Sequence, residues 1–281
     1  MESPNDGRGH RWGHKRPAFT LVELLVVIVI LGILAGLIST AVIAAMGRAR
    51  EARVSLEIRA MEQCLHVFKD RYGDFPPTNL QDAASVRAFL RRAFPRYPAT
   101  TADPYAQFVA DLAANDIPLT VSNIDAAAAL VFWLGGMPDD TGKPKGFSKD
   151  PANPFRKPSL DTMRYPPLYD FVQKRLIITG GTIRYYPDIA GAIEADAPFI
   201  YFRASEYGAV SFRHNANGED VTITPYKNAQ GEYFNPQTFQ IISAGRDNLY
   251  GNPSSGLAQD RAACEDNLTN FTEGKLKEAL K

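Results

Sequence analysis

The N-terminal region of the chain contains the sequence KRPAFTLVELLVVIVILG at residues 15–32. After the carboxylate of Glu23, no charged side chain occurs from Leu24 to Gly47, a run of 24 residues. About 20 apolar residues suffice to cross the hydrocarbon core of a bilayer as a helix. No proline interrupts the run, so it can form one continuous helix. Because the run is long enough to span a bilayer and carries no charge, we predict a transmembrane helix here rather than the core helix of a globular domain.

Glu23 is the informative residue of this run, because a carboxylate within a membrane segment carries an energetic penalty and usually has a partner. The penalty is about 2.5–3.5 kcal/mol at the bilayer centre and falls towards the ends of the span. Cleavage between Ala18 and Phe19 would create a free amine four residues before Glu23, which is one helical turn away. That amine could pair with the carboxylate of its own chain or of a neighbour. An ordinary anchor whose Glu23 lies among the lipid headgroups is the alternative interpretation.

The sequence AFTLVEL at residues 18–24 resembles the cleavage and methylation signal of type IV prepilins and of type II secretion pseudopilins. The resemblance implies that a prepilin peptidase, which is also a methyltransferase, cuts before Phe19 and methylates its amine. It further implies that Glu23 pairs with the Phe19 amine of a neighbouring subunit during filament assembly. The chain departs from the usual pattern in having Ala18 where glycine is common, and in lacking the proline that kinks many pilin helices.

Two glycines, Gly32 and Gly36, are the positions at which the predicted helix could bend in place of that proline. They also form a pair of small residues four apart, a spacing that lets membrane helices approach closely. Chance spacing is the alternative, because glycine is common in membrane helices.

Charge and composition restrict the partners and the location. Removal of a leader at residues 1–18 would leave 27 basic and 29 acidic residues, so we expect no nucleic-acid partner. Basic residues flank the apolar run on both sides, and the positive-inside rule therefore does not decide its orientation. The prepilin resemblance implies a single-pass inner-membrane anchor, with the head domain in the periplasm or in an extracellular filament.

The helix is predicted to extend beyond the membrane. Residues 19–47 would form the transmembrane half. Apolar residues then recur at helical spacing from Val54 to Tyr72, and the next proline is Pro76, so residues 48–73 are predicted to form an amphipathic half. Helical segments at 80–94, 103–114 and 123–135 predict an inserted helical region over residues 74–135.

The C-terminal part of the chain is predicted to form an antiparallel β head over residues 175–281, after an irregular loop at 136–174. A hairpin with a Gly180-Gly181 turn and four later strands indicate this sheet. The four strands are expected at residues 199–202, 209–212, 221–224 and 239–242. The fold class is therefore α+β, and a long N-terminal helix packed on a C-terminal sheet is also what the pilin resemblance implies.

The loop SAGRDNLYG at residues 243–251 follows the last predicted strand, and further acidic residues come after it. Carboxylates, side-chain amides and loop carbonyls are the ligands that Ca²⁺ prefers. The pattern resembles the calcium loop of the major type II secretion pseudopilin, in which the ion ties the last strand to the C-terminal segment. Candidate ligands are Asp247, Asn248 and Asp266, and a solvated polar loop is the alternative.

The two cysteines, Cys64 and Cys264, allow one disulfide, which a location outside the cytoplasm would permit. Two separate thiols are the alternative, because the sequence gives no distance between them.

The function expected from the sequence is structural rather than catalytic, because neither a Gly-x-Ser-x-Gly nor a His-Glu-x-x-His motif is present. We expect a subunit of a type II secretion pseudopilus or of a type IV pilus-like filament, with other pilin or pseudopilin subunits and the prepilin peptidase as partners. The C-terminal loop favours a pseudopilin. A minor tip pilin whose enlarged head binds a secreted substrate or surface ligand is one alternative, and an anchored enzyme is another.

Overall fold

The computed structural model describes residues 20–100, 102–160, 162–189, 197–216, 218–253 and 258–278. The chain divides into two compact units, Met1–Gly47 and Arg48–Lys281. The first helix, α1 (Leu21–Tyr72), contributes residues to both units. The predicted cleavage and methylation residues, Ala18 and Phe19, lie outside the described residues.

The part of α1 in the first unit is apolar and exposed. Its large hydrophobic side chains are between 44% and 79% exposed, from Leu21 to Met46. A helix that is apolar on all sides is stable in lipid or among other helices rather than in water. Among the described residues, α1 is the one helix long and apolar enough to cross a membrane. The predicted long apolar helix is confirmed, and it fits membrane anchoring.

The part of α1 in the second unit, the head, is amphipathic, as the sequence predicts. Val54, Ile58, Met61, Leu65 and Phe68 are completely buried. Their alternating spacing of four and three residues places them on one face of the helix. This face contributes to two of the three hydrophobic clusters of the head.

Three helices follow α1 and confirm the predicted helical segments. They are α2 (Ala83–Ala93), α3 (Pro104–Ala113) and α4 (Ala126–Gly135). Asp125 caps α4, because its Oδ1 accepts hydrogen bonds from the N–H groups of Ala127 and Ala128 at 3.0 and 2.9 Å. Every residue of α4 is buried, and the helix packs against β-strands of the head. This helix therefore belongs to the core of the head.

Residues 136–174 contain isolated β-bridges and 3-10 turns at Pro158–Leu160 and, at the end of the stretch, Gln173–Arg175. The strands follow. They are β1 (Leu176–Thr179), β2 (Thr182–Tyr185), β3 (Ile200–Arg203), β4 (Phe212–Ala216), β5 (Glu219–Ile223), β6 (Phe239–Ser243) and β7 (Leu268–Thr269), with α5 (Ala258–Ala263) before the last strand.

The strands form three small antiparallel sheets, with the orders β1-β2, β3-β6-β7 and β4-β5. The predicted hairpin is confirmed, and both turn residues, Gly180 and Gly181, have positive φ. The prediction of a strand at 209–212 is wrong except at its last residue. The N–H groups of Ala209 and Val210 donate to the carbonyl of Glu206 at 2.8 and 3.0 Å, so the chain turns here instead of extending.

The two cysteines are free thiols in the structure. Cys64 is half-buried beside one hydrophobic cluster, and its Sγ donates to the carbonyl of Leu168 at 3.0 Å. Cys264 is buried in a different cluster and donates to the carbonyl of Arg261 at 3.2 Å. The disulfide considered from the sequence is therefore not formed, because the two thiols belong to separate parts of the core.

Candidate functional site

Glu23 closes a capping box at the start of α1. The backbone N–H and the hydroxyl of Thr20 both donate to Glu23 Oε2 at 2.9 Å. In return, the N–H of Glu23 donates to the Thr20 hydroxyl at 3.2 Å. These reciprocal bonds satisfy donors that a helix N-terminus otherwise leaves without a partner. Glu23 is therefore positioned by the local sequence Thr-x-x-Glu, a signal that the sequence analysis did not use.

The second oxygen of this carboxylate, Oε1, accepts no hydrogen bond from the described residues. A carboxylate offers about four lone-pair sites, and Thr20 occupies two of them on Oε2. Glu23 is also exposed. The geometry thus leaves one oxygen available for a donor from another molecule, while the other oxygen holds the side chain in place.

Gly32 and Gly36 are open positions on α1. A Cβ atom built at either glycine would meet no other atom within 4 Å, outside the helix itself. Neither glycine is therefore required by a contact within this chain. A close approach by another helix is the feature that would require them.

The C-terminal loop brings the candidate metal ligands Asp247 and Asp266 together. Gly245 has φ +70°, and a Cβ atom there would lie 2.5 Å from the Asp266 carboxyl carbon, so only glycine fits. Asp266 Oδ2 accepts from the N–H of Arg246 at 2.7 Å. Asp247 Oδ1 accepts from the N–H of Leu249 at 2.8 Å. The remaining candidate, Asn248, has φ +61° within the same turn.

The electrostatics of this loop disfavour a second negative charge in the absence of a cation. Partial burial, together with the nearby Asp266 carboxylate, raises the pKa of Asp247 to about 6, although the hydrogen bond from Leu249 acts in the opposite direction. Carboxylates are among the oxygen ligands that Ca²⁺ prefers, and a bound cation would favour the ionised form of Asp247.

Three buried side-chain oxygens near this loop have no hydrogen-bond partner within the described residues. They are Asp266 Oδ1, Ser243 Oγ and Asn267 Oδ1. Asn267 is completely buried, and its Nδ2 donates to the carbonyl of Tyr250 at 2.7 Å, which fixes the orientation of the amide. Ser243 pairs with Leu268 across β6 and β7, and Asn267 directly precedes Leu268 in the chain. Neither Ser243 nor Asn267 is among the candidate ligands predicted from the sequence.

Among the described residues, no group of three or more His, Cys, Asp or Glu side chains is placed to hold a metal ion. Any cation site in this loop would accordingly depend on two carboxylates, completed by amide, hydroxyl and backbone oxygens. Ca²⁺ accepts such a mixed set of oxygen ligands, whereas Zn²⁺ prefers nitrogen and sulfur.

Comparison with known proteins identifies the N-terminal segment. A family model described as the prokaryotic N-terminal methylation motif matches residues 13–39. The N-terminal segment is a prepilin-like signal. No curated protein and no solved structure matches the chain significantly. The prepilin-like signal and an α+β head in which a long helix precedes antiparallel sheets together give the chain a pilin-like architecture.

Proposed function

We propose that this chain is a structural, non-catalytic subunit of a type II secretion pseudopilus or a type IV pilus-like filament. Prepilin peptidase cuts it between Ala18 and Phe19 and methylates the new amine. The observation that carries the proposal is the match of the methylation motif to residues 13–39. Glu23 is the single charged residue between Phe19 and Gly47.

Assembly proceeds through the apolar half of α1. A mature subunit enters the filament when its Phe19 amine approaches the Glu23 carboxylate of a neighbour. Oε1 of that carboxylate accepts the amine, while Oε2 keeps its bonds to Thr20. An ion pair is stronger in an apolar environment than in water, so the pairing selects one register among helices that otherwise present only apolar surface. Gly32 and Gly36 let these helices pack closely.

The experiment that tests this proposal compares Glu23→Gln with Glu23→Ala in the native host. Glutamine at this position retains the reciprocal capping bonds, because the capping box accepts Gln as well as Glu. It nevertheless removes the negative charge. We expect both variants to be cleaved and methylated, and both to be absent from sheared filaments or from the crosslinked pseudopilus.

A purely local role for Glu23 gives a different result. If the carboxylate served only to cap α1, Glu23→Gln would assemble like the unmodified chain, and only Glu23→Ala would be impaired. That outcome would overturn the assembly role of the charge. An anchored enzyme would retain its function in both variants.

The alternative is a minor tip pilin whose head captures a secreted substrate or a surface ligand. Residues 74–174 enlarge the head relative to a single helix and sheet, and this enlargement favours the alternative. Subunit abundance separates the two roles, because a major subunit is recovered in many copies per filament and a tip subunit in about one.

We also propose that the C-terminal loop binds Ca²⁺ through Asp247 and Asp266. Ser243, Asn248 and Asn267 would supply further oxygens. The unpartnered oxygens of Ser243, Asp266 and Asn267 support this proposal, since a cation would satisfy them. Arg246 is the cation nearest in sequence to these ligands, and its positive charge would oppose Ca²⁺ binding. Its Nη1 lies 4.0 Å from Oε1 of Glu51 on α1, however, so the guanidinium is directed to a different carboxylate.

Calcium binding is tested by thermal unfolding of the full chain in detergent. We expect the melting temperature to rise with added Ca²⁺ and not with Mg²⁺, and the rise to disappear in Asp266→Asn. An unchanged melting temperature at millimolar Ca²⁺ would contradict the proposal.

A further inference from the structure

A cleft of about 410 Å³ lies in the head, away from the C-terminal loop. Its walls come from the C-terminal end of α1, from the end of α2 and the segment that follows it, and from residues 148–154 together with Tyr165. Three of its side chains are cations: Arg71, Arg96 and Lys149. This volume is within the range of sites that hold a small-molecule ligand.

Positive charge predominates among the residues that line the cleft. All three side chains are exposed, and none of them is ion-paired with a carboxylate in the described part of the chain. Asp150 is the one carboxylate among the lining residues. Its Oδ1 accepts from the N–H of Ala152 at 2.9 Å and its Oδ2 accepts from Asn153 Nδ2 at 2.8 Å, so both oxygens serve the local turn. The cleft is therefore positively charged and suited to an anion.

Tyr165 brings two of the cations together. The Arg71 guanidinium carbon lies 5.2 Å from the centroid of the Tyr165 ring, and Lys149 Nζ lies 5.7 Å from it. Attraction between a cation and an aromatic ring limits the freedom of both side chains before a ligand arrives. Preorganised groups lose less entropy on binding, which favours affinity.

The residues that line the cleft disfavour two classes of anionic ligand, acidic peptides and nucleic acid. Three of the twelve lining residues are prolines, which have no N–H, and none of the twelve belongs to a β-strand. An extended acidic peptide would thus find no strand edge to pair with. Nucleic acid is disfavoured as well, because its bases require open aromatic faces and the exposed ring of Tyr165 already contacts two cations.

Carboxylated sugars fit the remaining features. Their C–H faces pack on apolar surfaces such as the proline rings of the cleft, and their carboxylates form charge-assisted hydrogen bonds with arginine and lysine. Three cations in one cleft suit a ligand that carries more than one carboxylate.

We propose that this cleft binds a short acidic oligosaccharide built of uronate units, whose carboxylates pair with Arg71, Arg96 and Lys149. Such binding requires neither the prepilin-like signal nor assembly through α1. The cleft and the filament proposal can accordingly fail independently of each other.

The test measures binding of trigalacturonate to the full chain in detergent micelles by isothermal titration calorimetry. Maltotriose is the neutral control, and triglutamate and an oligothymidylate represent the peptide and nucleic-acid alternatives. We expect trigalacturonate to bind most tightly, with an affinity that falls as salt is added. Each of Arg96→Ala and Lys149→Ala should weaken binding about tenfold, because each removes a hydrogen-bonded charge.

Arg91→Ala is the matched control, because Arg91 is an exposed arginine on α2 that does not line the cleft. We expect this variant to bind like the unmodified chain. The proposal is overturned if trigalacturonate does not bind at millimolar concentration, or if it binds no better than maltotriose. Equal weakening by Arg91→Ala and Arg96→Ala, or tighter binding of triglutamate or the oligothymidylate, would overturn it too.

Discussion

The two parts of α1 contrast in what their apolar side chains contact. In the first unit, side chains such as Leu31 and Ile38 are about 60% exposed, whereas in the head Ile58 and Leu65 are completely buried. Both parts are regular helix. Both parts therefore form helix, and they differ in what covers their apolar side chains. The head provides its own core, while a helix as apolar as the N-terminal part requires lipid or other helices.

Two carboxylates of this helix repeat the contrast. Glu57, in the head, forms a bidentate ion pair with Arg175 at 2.5 and 2.6 Å, and the side chains of both residues are largely buried. Glu23 is exposed and bonds only to Thr20, three residues earlier, among the described residues. A carboxylate whose partner lies in its own chain contributes to folding. One whose second oxygen has no partner is suited to contact between chains.

The largest difference between the two parts is expected for apolar truncations. Ile58→Ala should lower the free energy of unfolding of the head by about 2–5 kcal/mol, because it leaves a cavity in a packed core. Leu31→Ala should change it by less than about 0.5 kcal/mol, since that side chain has no role in the head. Chemical denaturation of the full chain in detergent measures both. A comparable loss in Leu31→Ala would mean that the first part also stabilises the head.

Charge removal should give the next largest difference. Glu57→Gln leaves the largely buried guanidinium of Arg175 without its carboxylate and should destabilise the head by about 3 kcal/mol. Glu23→Gln should leave the unfolding of the head unchanged and affect assembly alone. A denaturation curve and a filament yield are measured for each variant, and together they separate an effect on head stability from an effect on assembly. Equal stability of the Glu57→Gln variant would show that the buried pair is not important for folding.

Glycine substitutions should give a smaller difference. Gly245→Ala places a Cβ atom against Asp266 at a positive φ and should cost about 1–3 kcal/mol of head stability. Gly32→Ala has open space around it and should not change head stability. Its effect should appear as a lower filament yield, if close helix contacts matter. Normal filaments from a Gly32→Ala, Gly36→Ala double variant would refute the role of these glycines.

The smallest effect concerns pH. The pKa of Asp247 is about 6 in the folded chain, above its ordinary value of 3.8. Because the folded chain holds this proton more tightly than the unfolded chain, the contribution of the group to stability is present below about pH 4. It is lost as the pH rises through about 6. Melting temperatures measured with a chelator present should fall across this range, and Asp247→Asn should remove that fall. A variant with an unchanged pH profile would contradict the assigned pKa.

Local patterns predicted much of the fold. The absence of proline between residues 17 and 76 and the change from uniform to one-sided hydrophobicity predicted α1, and Gly180-Gly181 predicted the first hairpin. Other features depend on contacts between residues distant in sequence. The separation into three sheets is one example, and the pairing of β7, which has only two residues, with β6 is another. A two-residue strand has no periodicity from which to recognise it.

The candidate sites also divide into residues that a local pattern predicts and residues that only contacts distant in sequence bring together. Glu23 was recognised from the sequence, and its capping signal could have been, because Thr20 lies three residues before it. Ser243 and Asn267 could not be selected, since the lack of a partner for their side-chain oxygens among the described residues is a property of the packed core. The basic cleft could not be predicted either, because Arg71, Arg96 and Lys149 are 25 or more residues apart and only the fold brings them together.

The most direct test of the central claim is the mass of the N-terminal peptide of the chain isolated from its native host. Processing at a prepilin-like signal predicts a mature chain that begins at Phe19 with one methyl group on its amine. An N-terminus at Met1, or a cut after Ala45 such as a conventional signal peptidase would make, would contradict the claim. Either of these results would leave an anchored or secreted domain in place of a filament subunit.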